Sequence, residues 1–316
     1  MENKLRGKIM QGVGGLYSVR VIDESSRLFG TVVDCRARGS FRHSNITPLP
    51  GDFVELLPAE ESSSTEPEQF VIDEIVDRRN ALIRPPLANL DYIFVTMASA
   101  SPLPVLSTVD KLISIAEFNK IEPVIVITKK ELDNAYAEEL ATTYSKCGFD
   151  VFLLSAVEDS GVEPLEKYIG ENLRGGKTAA FAGASGIGKS TLLNRLFPTL
   201  ELTTSEISRK IQRGRHTTRK AELFPLSEEA DCGYIADTPG FSMLDFERFD
   251  FFEKEDLVGT MREFRTLIGQ CRYTKCTHTK EEGCAIVEAV KSGDIPRSRH
   301  ESYCELFEVL KKKKKW

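Results

Sequence analysis

The chain has 316 residues, enough for two or three domains, and its 41% hydrophobic and 28% charged residues are ordinary for a globular protein. Its net charge of −6 does not by itself indicate a nucleic-acid partner, although both ends are more basic than the middle. We find neither the long apolar run of a transmembrane helix nor the apolar core of a signal peptide, so we expect a cytoplasmic protein without a membrane partner.

The first 80 residues are predicted to form a small β-barrel. Residues 7–76 contain about five short segments that alternate apolar and polar residues or are rich in β-branched ones. Turn-prone stretches such as 48–51 separate them. An OB-fold is the best candidate for so many short strands, and a β-meander is the alternative. Residues 78–89, with two adjacent prolines, are expected to form a linker.

From residue 90 the pattern changes to strands that alternate with amphipathic helices. Such alternation predicts a parallel sheet covered on both faces, and therefore an α/β domain. After residue 250 the chain is expected to be helical, then cysteine-rich, then helical again. We therefore predict three domains, with boundaries at residues 1–80, 81–245 and 246–316.

The segment GASGIGKS, residues 183–190, fits the phosphate-loop pattern G-x-x-x-x-G-K-[ST]. It lies between an apolar strand and an amphipathic helix, as this motif requires. Its glycines allow backbone N–H groups to surround phosphate oxygens, Lys189 supplies positive charge during catalysis, and the hydroxyl of Ser190 is a ligand for Mg²⁺. The predicted nucleotide-binding residues here are Gly183, Ala184, Ser185, Gly186, Ile187, Gly188, Lys189, Ser190 and Thr191.

A second phosphate-side motif follows in GYIADTPG, residues 233–240. Asp237 is the candidate Mg²⁺ ligand, and the Gly240 N–H is expected to meet the γ-phosphate. Between the two motifs, the basic segment 207–220 is predicted to be a switch loop. Thr217 and Thr218 are its candidates for nucleotide and Mg²⁺ binding, and a solvated basic loop is the alternative.

The base-recognition motifs of a GTPase lie upstream of the phosphate loop, at the ends of two apolar strands. This order predicts a circularly permuted GTPase, whose sheet can be unchanged because strand neighbours are set in space. An ATP-dependent kinase or ATPase is the alternative, but adenine offers no N1–H donor to a carboxylate such as Glu131. The residues predicted to contact the base are Thr128, Lys129, Lys130, Glu131, Ser155 and Ala156.

Near the C-terminus, four potential metal ligands fall within 14 residues: Cys271, Cys276, His278 and Cys284. Three thiolates and one imidazole complete a tetrahedral Zn²⁺ shell with no open position. One structural zinc ion per chain is therefore expected.

Taken together, the motifs GASGIGKSTLLN, QRGRHTTR, DTPGF, TKKEL, LLSA and CRYTKCTHTKEEGC resemble the small ribosomal subunit biogenesis GTPase RsgA (YjeQ/YloQ) family. The resemblance spans essentially the whole chain. It implies an N-terminal OB-fold, a permuted P-loop GTPase domain and a C-terminal helical zinc-binding domain. It also implies GTP and GDP as ligands, the 30S subunit and its 16S rRNA as partners, and RNA-stimulated hydrolysis coupled to release. We expect a monomer. The alternative is an RNA-binding assembly checkpoint in which hydrolysis is incidental.

Two features depart from common GTPase patterns. The base motif has Thr128 and Glu131 where N-K-x-D has Asn and Asp. A hydroxyl therefore stands where Asn would brace the loop, and the carboxylate is kept on a longer arm. Phe241 follows D-T-P-G where many small GTPases have a water-orienting Gln, and this apolar residue is typical of the resembled family. The resemblance implies that His216 positions the attacking water, with an RNA contact as the alternative.

Overall fold

The protein is described here by a computed structural model, which covers residues 4–39, 41, 46–59, 70–198, 221–229, 231–237 and 252–313. The chain divides into two compact units. The first comprises residues 1–91, 168–180 and 197–240, and the second comprises residues 92–167, 181–196 and 241–316.

Five described strands form a barrel at the start of the first unit. They are β1 (Leu5–Val13), β2 (Leu16–Val21), β3 (Val32–Ala37), β4 (Phe53–Pro58) and β5 (Phe70–Ile75). The strand order closes on itself, because β1 pairs antiparallel with both β2 and β4, while β5 pairs with β3 in parallel and with β4 antiparallel. The core is made by Ile9, Val19, Cys35, Val54, Leu56, Phe70 and Ile72. The predicted OB-fold barrel is confirmed.

The stretch expected to be a linker contains a short hairpin of β6 (Ala81–Leu82) and β7 (Leu87–Ala88). Leu82 and Leu87 are buried, and the Asn89 side chain donates a hydrogen bond to the Gly51 carbonyl at 3.1 Å. The expectation of a linker was wrong here, because the apolar residues around the prolines supply enough burial to hold the hairpin in place.

Three further strands belong wholly or partly to the first unit: β11 (Thr178–Ala182), β12 (Glu222–Pro225) and β13 (Tyr234–Asp237). β11 pairs with β13 in parallel, and β13 pairs antiparallel with β12. β12 in turn pairs with the barrel strand β1. The barrel and these strands therefore share one hydrogen-bonded sheet within the first unit.

The second unit contains β8 (Tyr92–Ala98), β9 (Glu122–Thr128) and β10 (Val151–Leu153). β9 pairs in parallel with both of its neighbours, and the end of β11 lies beside β8, where Phe181 stacks on Phe94 with ring centroids 4.6 Å apart. The strands are almost entirely apolar, as expected for a sheet buried on both faces. The predicted parallel sheet is confirmed. Its helices are α1 (Leu106–Phe118), α2 (Asn134–Lys146), α3 (Val162–Asn172) and α4 (Lys189–Leu196).

The C-terminal part has two short helical segments, a cysteine-rich loop and two further helices. These elements are α5 (Leu257–Thr260), a 3₁₀ helix (Arg262–Leu267), α6 (Ala285–Ser292) and α7 (Arg297–Lys312). α7 packs against α1, where the fully buried Arg299 meets Asp110. Within the described residues, no helix combines the length and hydrophobicity needed to cross a membrane.

Candidate nucleotide site and metal centre

The phosphate loop joins β11 to α4 and passes close to the end of β8. Gly183 has φ +149°, and a Cβ there would lie 2.2 Å from the Thr96 carbonyl oxygen, so a larger residue could not fit. The Lys189 ammonium donates to the carbonyls of Gly183 and Ala184 at 2.7 and 2.6 Å. Burial lowers the pKa of Lys189 to about 8. The Lys189 side chain is thus held against the predicted phosphate-binding loop.

The base motif contacts the phosphate loop directly. The Thr128 hydroxyl donates to the Ile187 carbonyl at 2.5 Å, and the Lys129 ammonium donates to the Gly186 carbonyl at 2.8 Å. Lys129 has φ +56°, and the Ser99 hydroxyl accommodates this turn by donating to the Lys129 carbonyl at 2.8 Å. Two consecutive residues at the end of β9 therefore fix a loop almost 60 positions later. Thr128 braces the loop through its hydroxyl, the group that the sequence indicated.

Glu131 follows in the same turn. Its Oε2 atom is buried and accepts no hydrogen bond from the described residues. An unpaired buried carboxylate oxygen is costly, and this one lies two residues after Lys129, which contacts the phosphate loop. It is suited to accept hydrogen bonds from a ligand.

The loop with the predicted Ser155–Ala156 pair follows β10. Ser155 and Ser160 exchange two backbone hydrogen bonds of 2.8 and 3.0 Å, which close the loop on itself. Asp159, inside the loop, forms a two-point ion pair with Arg195 of α4 at 2.8 and 2.6 Å. The base loop is thereby tied to the helix that starts at the phosphate loop.

The remaining predicted nucleotide ligands lie outside the described residues. These are His216, Thr217, Thr218 and Gly240, and Phe241 lies there too. Asp237 is the last residue of β13, which places its backbone at the end of this strand, but its side chain is outside the described part. Ser190 and Thr191 are exposed in the first turn of α4.

The four predicted zinc ligands come together in the second unit, with all ligand atoms within 4.8 Å of one another. His278 Nδ1 lies 3.4 Å from Cys271 Sγ and 3.5 Å from Cys284 Sγ, and these two sulfurs are 3.7 Å apart. Zn–S bonds of about 2.3 Å and Zn–N bonds of about 2.0 Å give tetrahedron edges of roughly 3.5–3.8 Å. The donor set and its spacing therefore fit a tetrahedral zinc ion.

A second layer of polar contacts holds this cluster. The His300 ring lies 2.8 Å from the His278 carbonyl, and the Tyr303 hydroxyl donates to the Thr277 carbonyl at 2.9 Å. Burial opposes ionisation of Glu281, but hydrogen bonds from Thr277 and from nearby backbone amides lower its pKa to about 2. The carboxylate thus stays charged and fixes the turn between the second and fourth ligands.

Comparison with known families agrees with this geometry. The family model described as RsgA GTPase matches residues 75–247, more than half of the chain, and the model of the RsgA N-terminal domain matches residues 6–65. The chain belongs to the RsgA family. The predictions of this family, of its permuted P-loop GTPase fold and of a GTP-hydrolysing enzyme are thereby confirmed, and the checkpoint alternative is not favoured.

RsgA relatives match along almost the whole length. The small ribosomal subunit biogenesis GTPase RsgA of Alkaliphilus metalliredigens is 38% identical over 98% of this chain and 99% of its own. Its counterpart in Caldanaerobacter subterraneus subsp. tengcongensis is 39% identical over 99% and 98%. Among solved structures, YjeQ from Thermotoga maritima has a TM-score of 0.78 at 31% identity, covering 98% of this chain and 100% of that one. YloQ, titled a circularly permuted GTPase, has a TM-score of 0.75 at 32% identity, covering 99% and 97%.

Sequence patterns missed several contacts that shape this RsgA site. The Asp159–Arg195 pair joins residues 36 positions apart, and neither lies in a recognisable motif. Ser99 supports the base motif from the preceding strand, again without a motif of its own. Only the tertiary structure brings such residues together.

Proposed function

We propose that the protein hydrolyses GTP on the small ribosomal subunit and assists its late maturation, with hydrolysis accelerated by 16S rRNA and coupled to release. The main support is that Thr128 and Lys129 of the base motif donate hydrogen bonds to carbonyl oxygens of the phosphate loop. These contacts support a nucleotide site formed by the predicted base motif and the phosphate loop. The names of the RsgA relatives support the ribosomal partner.

Guanine selectivity is assigned to Glu131. Its buried Oε2 accepts no hydrogen bond from the described residues, and guanine presents two donors, N1–H and the N2 amino group, to such a carboxylate. Adenine presents an acceptor at N1 instead. A site that hydrogen-bonds its ligand in this way discriminates strongly against analogues that lack the donors.

Catalysis is expected to depend on positioning and electrostatics. Lys189 and the loop amides stabilise charge on the β- and γ-phosphates, and the positive end of α4 points to the same anion. When bound with GTP, Mg²⁺ neutralises developing charge, and Ser190, Thr218 and Asp237 are the residues proposed to hold it. His216 is proposed to position the attacking water, since Phe241 cannot do so.

Zinc is proposed to hold the C-terminal region together through Cys271, Cys276, His278 and Cys284, whose spacing fits the ion. The barrel and the zinc-binding region are proposed to contact 16S rRNA. We further propose a monomer that acts in the cytoplasm, where its ribosomal partner matures.

The test is turnover of GTP and of ATP by the wild type, with and without purified 30S subunits. We expect slow basal GTP hydrolysis, strong acceleration by subunits and little ATP hydrolysis. Lys189→Ala should abolish turnover, and His216→Ala should lower stimulated turnover by about 10²-fold with little change in GTP affinity. Equal hydrolysis of ATP, or no effect of subunits on the wild type, would contradict the proposal.

A further inference from the structure

One row of residues crosses the sheet of the first unit from the barrel to the nucleotide motifs. Gln11 of β1 is the register partner of Glu222 of β12, and Glu222 is the register partner of Asp237 of β13. A barrel residue is therefore two strands away from the predicted Mg²⁺ ligand. Each step of this row is a backbone pairing between adjacent strands.

The first step is reinforced by side chains. The Gln11 amide donates to the Glu222 carboxylate at 3.2 Å in a half-buried position. A hydrogen bond to a charged group is stronger than one between neutral groups. Among the described residues, Gln11 and Glu222 are the register pair that joins β1 to β12, and their side chains meet at that same pair.

Three residues before Gln11, the same strand makes a more deeply buried contact through Lys8. The Lys8 ammonium donates to the Gly176 carbonyl and the Thr178 hydroxyl, both at 2.7 Å, and lies 4.2 Å from the centroid of the Tyr234 ring. Lys8 is only 1% exposed. β1 thus contacts β11 and β13 through the buried Lys8, while its contact with β12 at Gln11 is only half-buried.

The contact between Gln11 and Glu222 matters for the nucleotide site because β12 lies between the two predicted switch motifs in the sequence. β12 begins two residues after the predicted switch segment 207–220, and its partner β13 ends where the D-T-P-G motif begins. A shift of β12 would therefore move the chain that leaves the first predicted switch segment and, through its pairing with β13, the chain that enters the second.

We propose that Gln11 is a positioning residue for hydrolysis, which acts through Glu222 to set β12 and so transmits binding of RNA by the barrel to the nucleotide site. This inference rests on the proposed function, because it concerns the turnover that the subunit stimulates. Gln11 touches neither nucleotide nor Mg²⁺ in this scheme.

The test uses a carboxylate–amide exchange in the full-length protein. Gln11→Glu places two carboxylates side by side and should lower the ratio of stimulated to basal kcat by about fivefold or more, measured at saturating 30S subunits. The KM for GTP should change by less than about twofold. Glu222→Gln alone keeps an acceptor but loses its charge, so its ratio should fall by less than that of Gln11→Glu. The double variant Q11E/E222Q recreates a carboxylate–amide hydrogen bond with its direction reversed, and should restore the ratio.

Lys4→Glu is the matched control. It puts a carboxylate beside Glu55 and Asp73 just before β1 begins, where the contacts stay within the barrel. The stimulation ratio of this control should equal that of the wild type. Thermal unfolding of every variant separates lost coupling from lost stability.

An unchanged ratio in Gln11→Glu, a loss that the double variant does not restore, or an equal loss in Lys4→Glu would overturn the inference while leaving the proposed function standing. A basal rate that falls as much as the stimulated rate would show a purely structural role. A wild type that subunits do not stimulate would overturn the proposed function, and the inference with it.

Discussion

At the residue scale, the predicted base motif contacts the phosphate loop although two of its residues are unusual. The Thr128 hydroxyl reaches the Ile187 carbonyl, so a shorter side chain than Asn still braces the phosphate loop. Glu131 carries its carboxylate on an arm one methylene longer than Asp, and its buried Oε2 accepts no hydrogen bond from the described residues. Thr128 thus contacts the phosphate loop without the amide of Asn, and Glu131 offers a carboxylate acceptor as Asp would.

Substitution at Glu131 tests base recognition. Glu131→Asn replaces an acceptor with a group that can also donate, so GTP affinity should fall by at least about tenfold and the preference should shift toward xanthosine triphosphate. Glu131→Asp should retain GTP binding. Binding of both nucleotides is measured by fluorescence titration, with the exposed Glu138→Asn as the control. An unchanged GTP/XTP ratio in Glu131→Asn would show that this residue does not contact the base.

At the element scale, α7 is held to the parallel-sheet layer by a buried charged cluster. Arg299 Nε donates to Glu263 at 2.7 Å, its Nη1 donates to Asp110 of α1, and the Tyr144 hydroxyl donates to the same carboxylate at 2.9 Å. Arg299 is fully buried. One cation therefore compensates two buried carboxylates from different elements.

Removing the charge of Arg299 should strongly destabilise the folded protein. Arg299→Met leaves Asp110 and Glu263 without a counter-charge, and should lower the free energy of unfolding by about 3–5 kcal/mol. Arg297→Met, on the same helix but in an exposed pair with Glu301, should cost less than about 1 kcal/mol. Urea denaturation measures both. Equal effects of the two substitutions would show that the buried cluster contributes no more than a surface ion pair.

At the scale of the whole molecule, residues far apart in the chain meet where the barrel joins the sheet. Lys8 lies between the rings of Phe53 and Tyr234, with centroid distances of 4.8 and 4.2 Å. Burial lowers the pKa of Lys8 to about 7, with the nearby charge of Asp91 acting in the opposite direction and that of Arg79 adding to the decrease. With a pKa of about 7, Lys8 changes its charge near neutral pH, where an ordinary lysine stays protonated.

This pKa predicts how stability changes with pH. The unfolded chain binds more protons at Lys8 than the folded chain does between pH 7 and its ordinary pKa of 10.5, so the contribution of Lys8 to stability rises with pH in that window. The difference in unfolding free energy between wild type and Lys8→Met should therefore grow by roughly 1–3 kcal/mol from pH 7 to pH 10. Thermal or urea unfolding across this range measures it.

Lys4→Met, at the residue just before β1, is the control. Hydrogen bonds to Glu55 and Asp73 raise the pKa of Lys4, so its contribution is fully present below its ordinary pKa and should stay flat over the same range. A difference for Lys8→Met that is also flat would mean that Lys8 stays charged in the folded protein throughout this range.

Local patterns in the sequence predicted the barrel, the parallel sheet, the phosphate loop and the grouping of the zinc ligands. Each depends on residues close together in the chain, such as the four ligands between Cys271 and Cys284. The Arg299 cluster and the Lys8 contacts could not be predicted, because nothing near either residue identifies partners that lie more than 150 positions away. The hairpin at residues 81–88 was missed because proline suggested an open chain, whereas buried leucines decided the outcome.

The close fit of Gly183 against Thr96 affects when the nucleotide site can form while the chain is being translated. β8, β9 and their helices leave the ribosome before the phosphate loop does, so the Thr96 carbonyl and the Thr128 hydroxyl can already be in place when residues 183–190 emerge. At roughly 5–20 residues per second, the delay between Thr96 and Gly183 is on the order of ten seconds. The nascent chain should therefore gain its first affinity for nucleotide in a single late step, when the phosphate loop reaches a surface that has already folded.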